Sequence, residues 1–190
     1  PFNWEELGYT EDGSKNVVDT DRMYENLMNF KFGGLDNPDL YLDETIRRMC
    51  YSHRRLYAEL ADALIEKGEN EKALDILEKC ENGISSELLP HTIMGYSQII
   101  AYSYVQLDRK DKALEIAEQM ARQYLSEMQW YLSMDDRHLS LLQYDVDQLI
   151  KNLNKGVLPL LEMAGMDEDT LKATLDVYQD MFVQYRNRMK

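Results

Sequence analysis

The sequence predicts an all-α fold built from helical hairpins. Two stretches forty residues apart, 57–80 and 97–120, repeat one pattern: both have an alanine in the first half (Ala61, Ala101) and a Lys-Ala-Leu run in the second. A repeat of this length is typical of stacked helical hairpins, because one hairpin cannot bury its apolar face alone. The chain has only 4 Pro and 9 Gly, and no stretch alternates between apolar and polar residues, so we expect helices and almost no strand.

Composition and charge exclude several classes of protein. At 190 residues with 44% hydrophobic residues, the chain is long enough to bury a core. Its net charge of -14 argues against binding nucleic acid or anionic lipid, because both require clustered cations. No run approaches ~18 apolar residues and no signal peptide is visible, so no membrane span is expected. The chain opens at Pro1, as a domain cut from a longer protein or a natural start after methionine removal would.

The N-terminal region is predicted to contain loops and one short helix. Residues 1–19 are polar and irregular, and Thr20 or Asp21 can cap a helix that continues to about Asn29. The next segment, to residue 42, contains the breakers Gly-Gly and Asn-Pro and is expected to be an ordered loop. We expect its apolar side chains to pack against the first hairpin: Phe32, Leu35, Leu40 and Tyr41.

The first hairpin is predicted from its cap, its turn and its apolar spacing. Asp43 is the expected cap of a long helix to Lys67, Gly68 ends that helix, and the antiparallel partner continues to about Glu81. Asn82-Gly83 is then expected to break the chain. The long helix is expected to use the following apolar positions: Ile46, Met49, Cys50, Leu56, Leu60, Ala61 and Leu64.

The second hairpin and the C-terminal helices follow the same logic. Hairpin helices are predicted near 91–106 and 109–125, with Asp108 in place of the turn glycine. Asp135 or Asp136 can cap the next helix, to about Asn152. A short helix is predicted from Leu158 to Ala164, and Asp167 caps a last amphipathic helix. The apolar stripe of that last helix is Leu171, Leu175, Tyr178, Phe182 and Tyr185.

Small residues recur where the two helices of each hairpin are expected to cross. Ala61 and Ala101 take the first such position, and Ala73 and Ala113 take the second. This placement resembles tetratricopeptide hairpins, in which small residues mark the crossing. The predicted fold is therefore all-α, a tetratricopeptide-like helical hairpin array with a C-terminal helical cap. The predicted division is 1–42 for the N-terminal loop and short helix, 43–125 for the two hairpins and 126–190 for the cap, together one structural unit.

The two cysteines, Cys50 and Cys80, are not expected to form a disulfide. If they lie on antiparallel helices joined near Gly68, their Cα atoms are offset by roughly 9 Å along the helix axis. That offset exceeds the ~7 Å that a disulfide tolerates. We therefore predict buried, unbridged thiols, which leaves the redox compartment open.

A wider resemblance covers roughly residues 30–138. Its landmarks are GGLD at 33–36, YLDE at 41–44, RRM at 47–49 and Arg54, followed by YL at 124–125, WYLS at 130–133 and DR at 136–137. These motifs resemble the soluble C-terminal tail of a family of large bacterial polytopic membrane proteins of unknown function, related to protein O-mannosyltransferases of the GT-C type. The resemblance implies a helical-repeat appendage on the extracytoplasmic (periplasmic) face of the inner membrane. The supposed transferase chemistry belongs to the membrane half, so no catalytic residue carries over.

A cationic cluster on the first long helix is the strongest candidate site. Arg48, Tyr51 and Arg55 share one helix face, and Asp62 continues it. Guanidinium groups and tyrosines can hold a carboxylate or an acidic peptide. Two residues of the second hairpin are expected to join them, which gives a predicted ligand or peptide groove of Arg48, Tyr51, Arg55, Asp62, Gln98 and Tyr102. The alternative is that the arginines hold the preceding loop through Asp36, Asp39, Asp43 and Glu44.

Other chemistry-bearing residues are interpreted as structural. The run Asp135-Asp136-Arg137-His138 invites an acid–base or metal interpretation, but a capping carboxylate followed by surface charge explains it more simply. His53, His91 and His138 lie on separate predicted elements without metal-ligand spacing. We expect no metal, no cofactor and no catalytic residue, and hence no enzyme. Trp130-Tyr131, with Met128 and Met134, can form an exposed patch for a partner, although core packing is favoured.

The predicted function is a protein- or peptide-interaction module. On the resemblance above, it is the accessory tail of a glycosyltransferase-like membrane protein, attached to the membrane only through an N-terminal domain outside this sequence. The expected partner is a protein or peptide, and nucleic acid is not expected. The alternative is a purely structural or oligomerising appendage without a ligand of its own.

Overall fold

The computed structural model describes residues 19–189. Every regular element in that range is helical, which confirms the predicted all-α class. The chain divides into two compact units, Pro1–Leu89 and Pro90–Lys190. The boundary falls between the two repeated stretches, whereas the predicted division kept them together. That the whole chain forms one structural unit stays a prediction.

The first unit is a helical hairpin with a short helix packed against it. It contains α1 (Thr20–Met28), α2 (Glu44–Glu66) and α3 (Asn70–Gly83), and α1 contacts both hairpin helices. The Tyr57 hydroxyl donates a hydrogen bond to the Leu27 carbonyl of α1 at 2.8 Å, so this buried phenol is paired. The fully buried side chains of the hairpin form the core: Tyr57, Ala58, Leu60, Ala61, Leu64, Ala73, Ile76, Leu77 and Cys80.

The start of α1 differs from the prediction. Asp19, not Thr20 or Asp21, is the N-cap, and its Oδ1 accepts a hydrogen bond from the Arg22 backbone N–H at 3.1 Å. Thr20 is buried, and its hydroxyl accepts a hydrogen bond from the Lys67 Nζ at 2.8 Å. The three consecutive residues are all good caps by type, so composition alone could not choose among them.

The caps and turn of the first hairpin are as predicted. Asp43 caps α2, with Oδ1 accepting from the Ile46 backbone N–H at 2.9 Å. Gly68 follows the end of α2 with φ +77°, a left-handed conformation that favours glycine. The N–H of Glu69 donates to the Leu64 carbonyl at 2.9 Å, which is the Schellman pattern of a helix end.

The loop between α1 and α2 is anchored by Phe32. A Cβ added to Gly83 would lie 2.2 Å from two ring atoms of Phe32, and the same ring lies 5.4 Å from that of Tyr57 between centroids. The sequence marks Gly83 as a helix breaker, but Gly83 is the last residue of α3. Its missing side chain is what lets the loop approach the helix closely.

Some of the remaining apolar side chains of this loop are buried and others are exposed. Leu35 is buried as predicted, and its carbonyl accepts a hydrogen bond from the Ser85 N–H at 2.8 Å. The predicted packing of Leu40 and Tyr41 is wrong: they are 36% and 86% exposed, and Leu42 is buried instead. Irregular backbone has no fixed period, so the pattern could not assign a direction to each residue.

The second unit is arranged around one long helix, α5. Its helices are α4 (Ser97–Gln106), α5 (Lys110–Leu132), α6 (Asp136–Leu141), α7 (Gln143–Asn152), α8 (Leu158–Met163) and α9 (Glu168–Arg188). A 3-10 turn, Ile93–Gly95, precedes α4, and a π-helical turn, Leu153–Val157, joins α7 to α8. Because α5 contacts α4, α7, α8 and α9, its buried face forms much of the core of this unit.

Three predicted boundaries in the second unit are wrong. α4 begins at Ser97 rather than near residue 91, because a 3-10 turn, Ile93–Gly95, comes first. α5 continues to Leu132 rather than ending near residue 125, because Tyr124, Met128 and Tyr131 extend its buried stripe at helical spacing. The single helix predicted from about residue 136 to 152 is interrupted at Leu142, between α6 and α7. The short helix near 158–164 is confirmed as α8.

The last helix, α9, is tied back to the end of α5. Asp167 caps it as predicted. Near its other end, the Arg188 guanidinium donates to the carbonyls of Leu132 and Met134 and, through Nε, to Asp136 Oδ1 at 2.7 Å. A cation on these carbonyls satisfies acceptors that a helix end leaves open. On the predicted apolar stripe, Tyr178 and Tyr185 are buried and the other three residues are half-buried: Leu171, Leu175 and Phe182.

The two hairpins share one backbone plan. Asp108 has φ +58°, matching the left-handed Gly68 forty residues earlier. The N–H of Arg109 donates to the Tyr104 carbonyl at 2.8 Å, which repeats the bond at the end of α2. The predicted small residues of both copies are fully buried: Ala61, Ala73, Ala101 and Ala113. Stacking of one hairpin on the next, which a tetratricopeptide-like array requires, stays a prediction.

Both cysteines are buried free thiols, as predicted. Cys50 is 7% exposed and Cys80 is fully buried, and neither forms a disulfide. Burial, which disfavours the thiolate, raises the pKa of Cys80 to about 12. Cys80 is therefore a small apolar residue of the core at physiological pH.

A first prediction tests the fully buried alanine of the second hairpin. Replacing Ala113 by Leu inserts three carbons into a site without space, and should lower the free energy of unfolding by ~1–3 kcal/mol. Chemical denaturation measures the change. The matched control is Ala173→Leu, since Ala173 is an exposed alanine of α9. Equal stabilities of the two variants would contradict the close packing at Ala113.

A second prediction concerns the contact of Phe32 with Gly83. Gly83→Ala should destabilise the protein by ~1–3 kcal/mol, because the new Cβ would overlap the aromatic ring. In a Phe32→Ala background the same change should be neutral or stabilising by about 0.5–1 kcal/mol, since alanine is the better helix former. Urea denaturation of the four proteins measures both effects. A loss of stability in both backgrounds would exclude the ring as the cause.

Candidate peptide-binding surface

The predicted groove residues of the first unit lie along α2. Arg48, Arg55 and Asp62 are exposed at successive seven-residue intervals, on the side of α2 away from its core face. Tyr51 is only 7% exposed, and the Arg54 guanidinium carbon lies 6.0 Å from its ring centroid. The structure therefore brings the two exposed arginines onto one side of α2 but buries the tyrosine expected between them.

The exposed arginines are paired within α2. Arg48 Nη2 lies 3.0 Å from Glu44 Oε1, and Arg55 Nε lies 2.7 Å from Glu59 Oε1. Glu44 is one of the carboxylates that the alternative named, but it is the first residue of α2, so its pair with Arg48 lies within the helix and does not hold the preceding loop. The arginine side chains are 68% and 52% exposed, and such surface pairs contribute only about 0–1 kcal/mol. A ligand carboxylate can therefore replace the glutamate partner at small cost.

The groove residues of the second unit lie on α4. Tyr102 is 43% exposed. The Gln98 amide lies against the π-helical turn, where a Cβ added to Gly156 would be 2.9 Å from its Oε1. Gln98 is thus in contact with its own unit, which the repeat pattern did not show. That these two residues complete a groove with the arginines of α2 stays a prediction.

An exposed apolar stripe on the first half of α2 was not anticipated. Ile46, Met49 and Leu56 were expected to be core positions but are 45%, 63% and 40% exposed. They lie on the same helix face as Leu60 and Leu64, which are fully buried. We call Ile46, Met49 and Leu56 the α2 stripe. Helical spacing identified the apolar face correctly but could not tell how far other elements cover it.

The α2 stripe adjoins an open depression beside α1. The depression has a volume of about 480 Å³ and includes Leu56 of the stripe. Its described lining is Asp19, Arg22, Met23, Asn26, Leu27 and Leu56. An apolar floor with polar groups at the rim is typical of a surface that receives a partner side chain.

The acidic run before α6 serves as a cap. Asp135 Oδ1 accepts from the His138 backbone N–H at 3.0 Å, and its Oδ2 lies 2.7 Å from His138 Nδ1. The backbone hydrogen bond, followed by the side-chain bond, lowers the pKa of Asp135. Both side chains are 65% exposed. The geometry confirms the predicted helix cap.

A buried serine–histidine pair lies at the start of the second unit, and no sequence motif predicted it. His91 Nδ1 lies 3.0 Å from Ser97 Oγ, and the two residues are 2% and 0% exposed. A nucleophile must reach its substrate, and this hydroxyl has no solvent access. The nearby Ile93 N–H donates to the Tyr124 hydroxyl at 3.1 Å. These polar contacts fix the turn before α4.

The aromatic segment at the end of α5 is split between core and surface. Met128 and Tyr131 are buried, as core packing predicts, whereas Trp130 is 55% exposed. The rings of Trp130 and Tyr131 lie 4.9 Å apart between centroids. Trp130 is therefore an exposed aromatic residue on a rigid helix.

Between residues 19 and 189, no cluster of three or more His, Cys, Asp or Glu side chains is arranged to hold a metal ion. None of the helices described there combines the length and apolarity needed to cross a bilayer.

Comparison with known proteins adds no relative. No protein-family model, curated protein or solved structure matches this chain. The resemblance to the tail of a GT-C-type membrane protein family therefore stays a prediction.

A third prediction concerns Glu127 of α5, whose carboxyl is half-buried. Burial, and then the negative charge of Asp145, raises the pKa of Glu127, and the same carboxylates contribute to raising that of Tyr131. A raised pKa means that the folded state binds the proton more tightly, so this group destabilises the fold as pH rises through its folded pKa. Glu127→Gln should therefore increase the free energy of unfolding at pH ~7.

The gain in free energy of unfolding from Glu127→Gln should disappear below pH ~4, where the wild-type carboxyl is protonated in both the folded and the unfolded state. Urea denaturation across pH measures the difference. The control is Glu118→Gln, which removes only a surface pair with Arg122 and should change stability by about 0–1 kcal/mol. A Glu127→Gln variant that is less stable at neutral pH would contradict the unfavourable burial.

Proposed function

We propose that this chain is a protein- or peptide-interaction module that uses the exposed side of α2. The observation that carries the proposal is the charge of its first half. Between residues 44 and 56 the helix has four arginines and one glutamate, in a chain of net charge -14. Three of the arginines are at least partly exposed: Arg47, Arg48 and Arg55. Local positive charge in an acidic protein selects anionic ligands.

The ligand class follows from the geometry of the arginines. Each guanidinium offers paired N–H donors that match a carboxylate, and each is already engaged with a carboxylate of the same helix. The proposed ligand is an acidic peptide segment or a free carboxyl terminus.

The wider role is also a proposal. The motifs at 33–36, 41–44 and 47–49 support an accessory tail of a glycosyltransferase-like membrane protein, held at the extracytoplasmic face of the membrane. The geometry of the Asp135–His138 pair and of the His91–Ser97 pair supports structural roles rather than catalysis. The module would then recruit or position a protein partner for its parent.

A fourth prediction tests the arginines with a synthetic acidic peptide that has a free C-terminal carboxylate. The double variant Arg48→Glu/Arg55→Glu should lose binding, measured by fluorescence anisotropy of the labelled peptide. Its thermal unfolding should change little, because both side chains are exposed. Wild-type binding should weaken as salt rises from about 0.05 M to about 0.5 M, since exposed charges are screened.

The matched control is Arg122→Glu. Arg122 is an exposed arginine of α5 in an i,i+4 pair with Glu118, so it has the same local chemistry in a different place. Binding that survives reversal of Arg48 and Arg55, or that is lost equally with Arg122→Glu, would contradict the proposed site.

A further inference from the structure

The first half of α2 combines an apolar stripe with flanking cations. Ile46, Met49 and Leu56 expose between 40% and 63% of their surface. Arg48 and Arg55 follow them around the helix on the neighbouring face. A stripe of large apolar side chains beside charged groups is the composition of a helix-binding surface rather than of a solvated helix face.

Ile46 and Met49 are left exposed because the described part of the chain turns away from this end of α2. Phe30, two residues after α1, packs with its ring 5.0 Å from that of His53. The chain then crosses to α3, where Phe32 rests on Gly83 and the Leu35 carbonyl accepts from Ser85. Within the described residues, α1 thus reaches α2 only as far as about His53.

The geometry points to one occupant: we infer that an acidic amphipathic helix of a partner protein docks on the α2 stripe. The stripe extends from residue 46 to residue 56, a rise of about 15 Å along the helix, which matches roughly three turns of a partner. Its residues lie at i, i+3 and i+10 on one side of α2, where another helix can pack apolar residues placed at i, i+3 and i+7 of its own. The arginines beside it require carboxylates on the flank of that partner.

This inference rests on the proposed function and narrows it. The proposed function requires only that an anionic peptide binds the arginines. The inference adds that the partner is helical and that apolar contact with the whole α2 stripe supplies most of its affinity. Leu56 extends this contact into the depression beside α1, where Met23 and Leu27 complete an apolar pocket for one partner side chain.

The test uses two synthetic helical peptides of about fifteen residues. The acidic peptide has Leu at i, i+3 and i+7 with Glu on both flanks, and the basic peptide has Lys in place of each Glu. Both are titrated with the full chain by isothermal calorimetry. The acidic peptide should bind at least about tenfold more tightly than the basic one, because the flank that meets Arg48 and Arg55 has carboxylates in the acidic peptide and like charges in the basic one.

Substitutions distinguish the contribution of the α2 stripe to binding from that of the arginines. Met49→Gln keeps the size and charge of the side chain but removes its apolar contact. It should weaken binding of the acidic peptide about tenfold. The control is Val183→Gln, since Val183 is a 51% exposed apolar residue of α9 and should leave binding unchanged. Thermal unfolding checks that both variants keep the fold.

Each other outcome overturns the inference in a distinct way. Equal binding of the two peptides, or no binding of either, excludes an acidic helical partner. If Met49→Gln has no effect while reversal of Arg48 and Arg55 abolishes peptide binding, the stripe is excluded and the proposed function stands. If the acidic peptide binds only after residues 1–18 are removed, the occupant of the α2 stripe is a segment of this chain rather than a partner. A dimer in light scattering that Met49→Gln dissociates would identify a second copy instead.

Discussion

Both hairpins depend on a chain reversal in which one residue adopts a left-handed conformation. Gly68 takes this role in the first unit without steric cost, and Asp108 takes it in the second at a cost of roughly 1 kcal/mol. Each reversal sets the register of one helix against its partner. Ala73 and Ala113 become fully buried only at that register, so the turn and the close crossing of the helices stabilise each other.

The same reversal divides α2 into a half that α3 covers and an extension beyond it. α2 has 23 residues and α3 has 14, so α2 extends about nine residues beyond its antiparallel partner. Leu60 and Leu64 lie in the covered half and form core, whereas Ile46 and Met49 lie in the extension and stay exposed. The exposure of Ile46 and Met49 thus follows from the unequal lengths of two helices, with no change in the apolar pattern along α2.

The sequence predicted helix caps and turns well, but it did not predict which parts of a helix are covered by other elements. The caps Asp43 and Asp167 and the turn at Gly68 were predictable because each depends on the residue and its immediate neighbours. The exposure of Met49 and the burial of Tyr51 depend on which other element covers that part of α2. Periodicity shows on which side of its helix a residue lies, but it does not show whether another element of the chain packs against that side. The sequence likewise predicted that the arginines cluster on α2, but it did not predict that they pair with glutamates of the same helix.

Apolar contact must supply most of the affinity of any partner on α2, while the arginines select it. A partner carboxylate that binds Arg48 or Arg55 replaces Glu44 or Glu59, so one surface pair is exchanged for another and the net gain is small. Because Met49 is uncharged, burying its exposed part exchanges no ion pair. The charges would still discriminate, because a basic partner would face guanidinium groups of the same sign. The acidity of the rest of the chain would repel an acidic partner elsewhere, which favours this helix as its site.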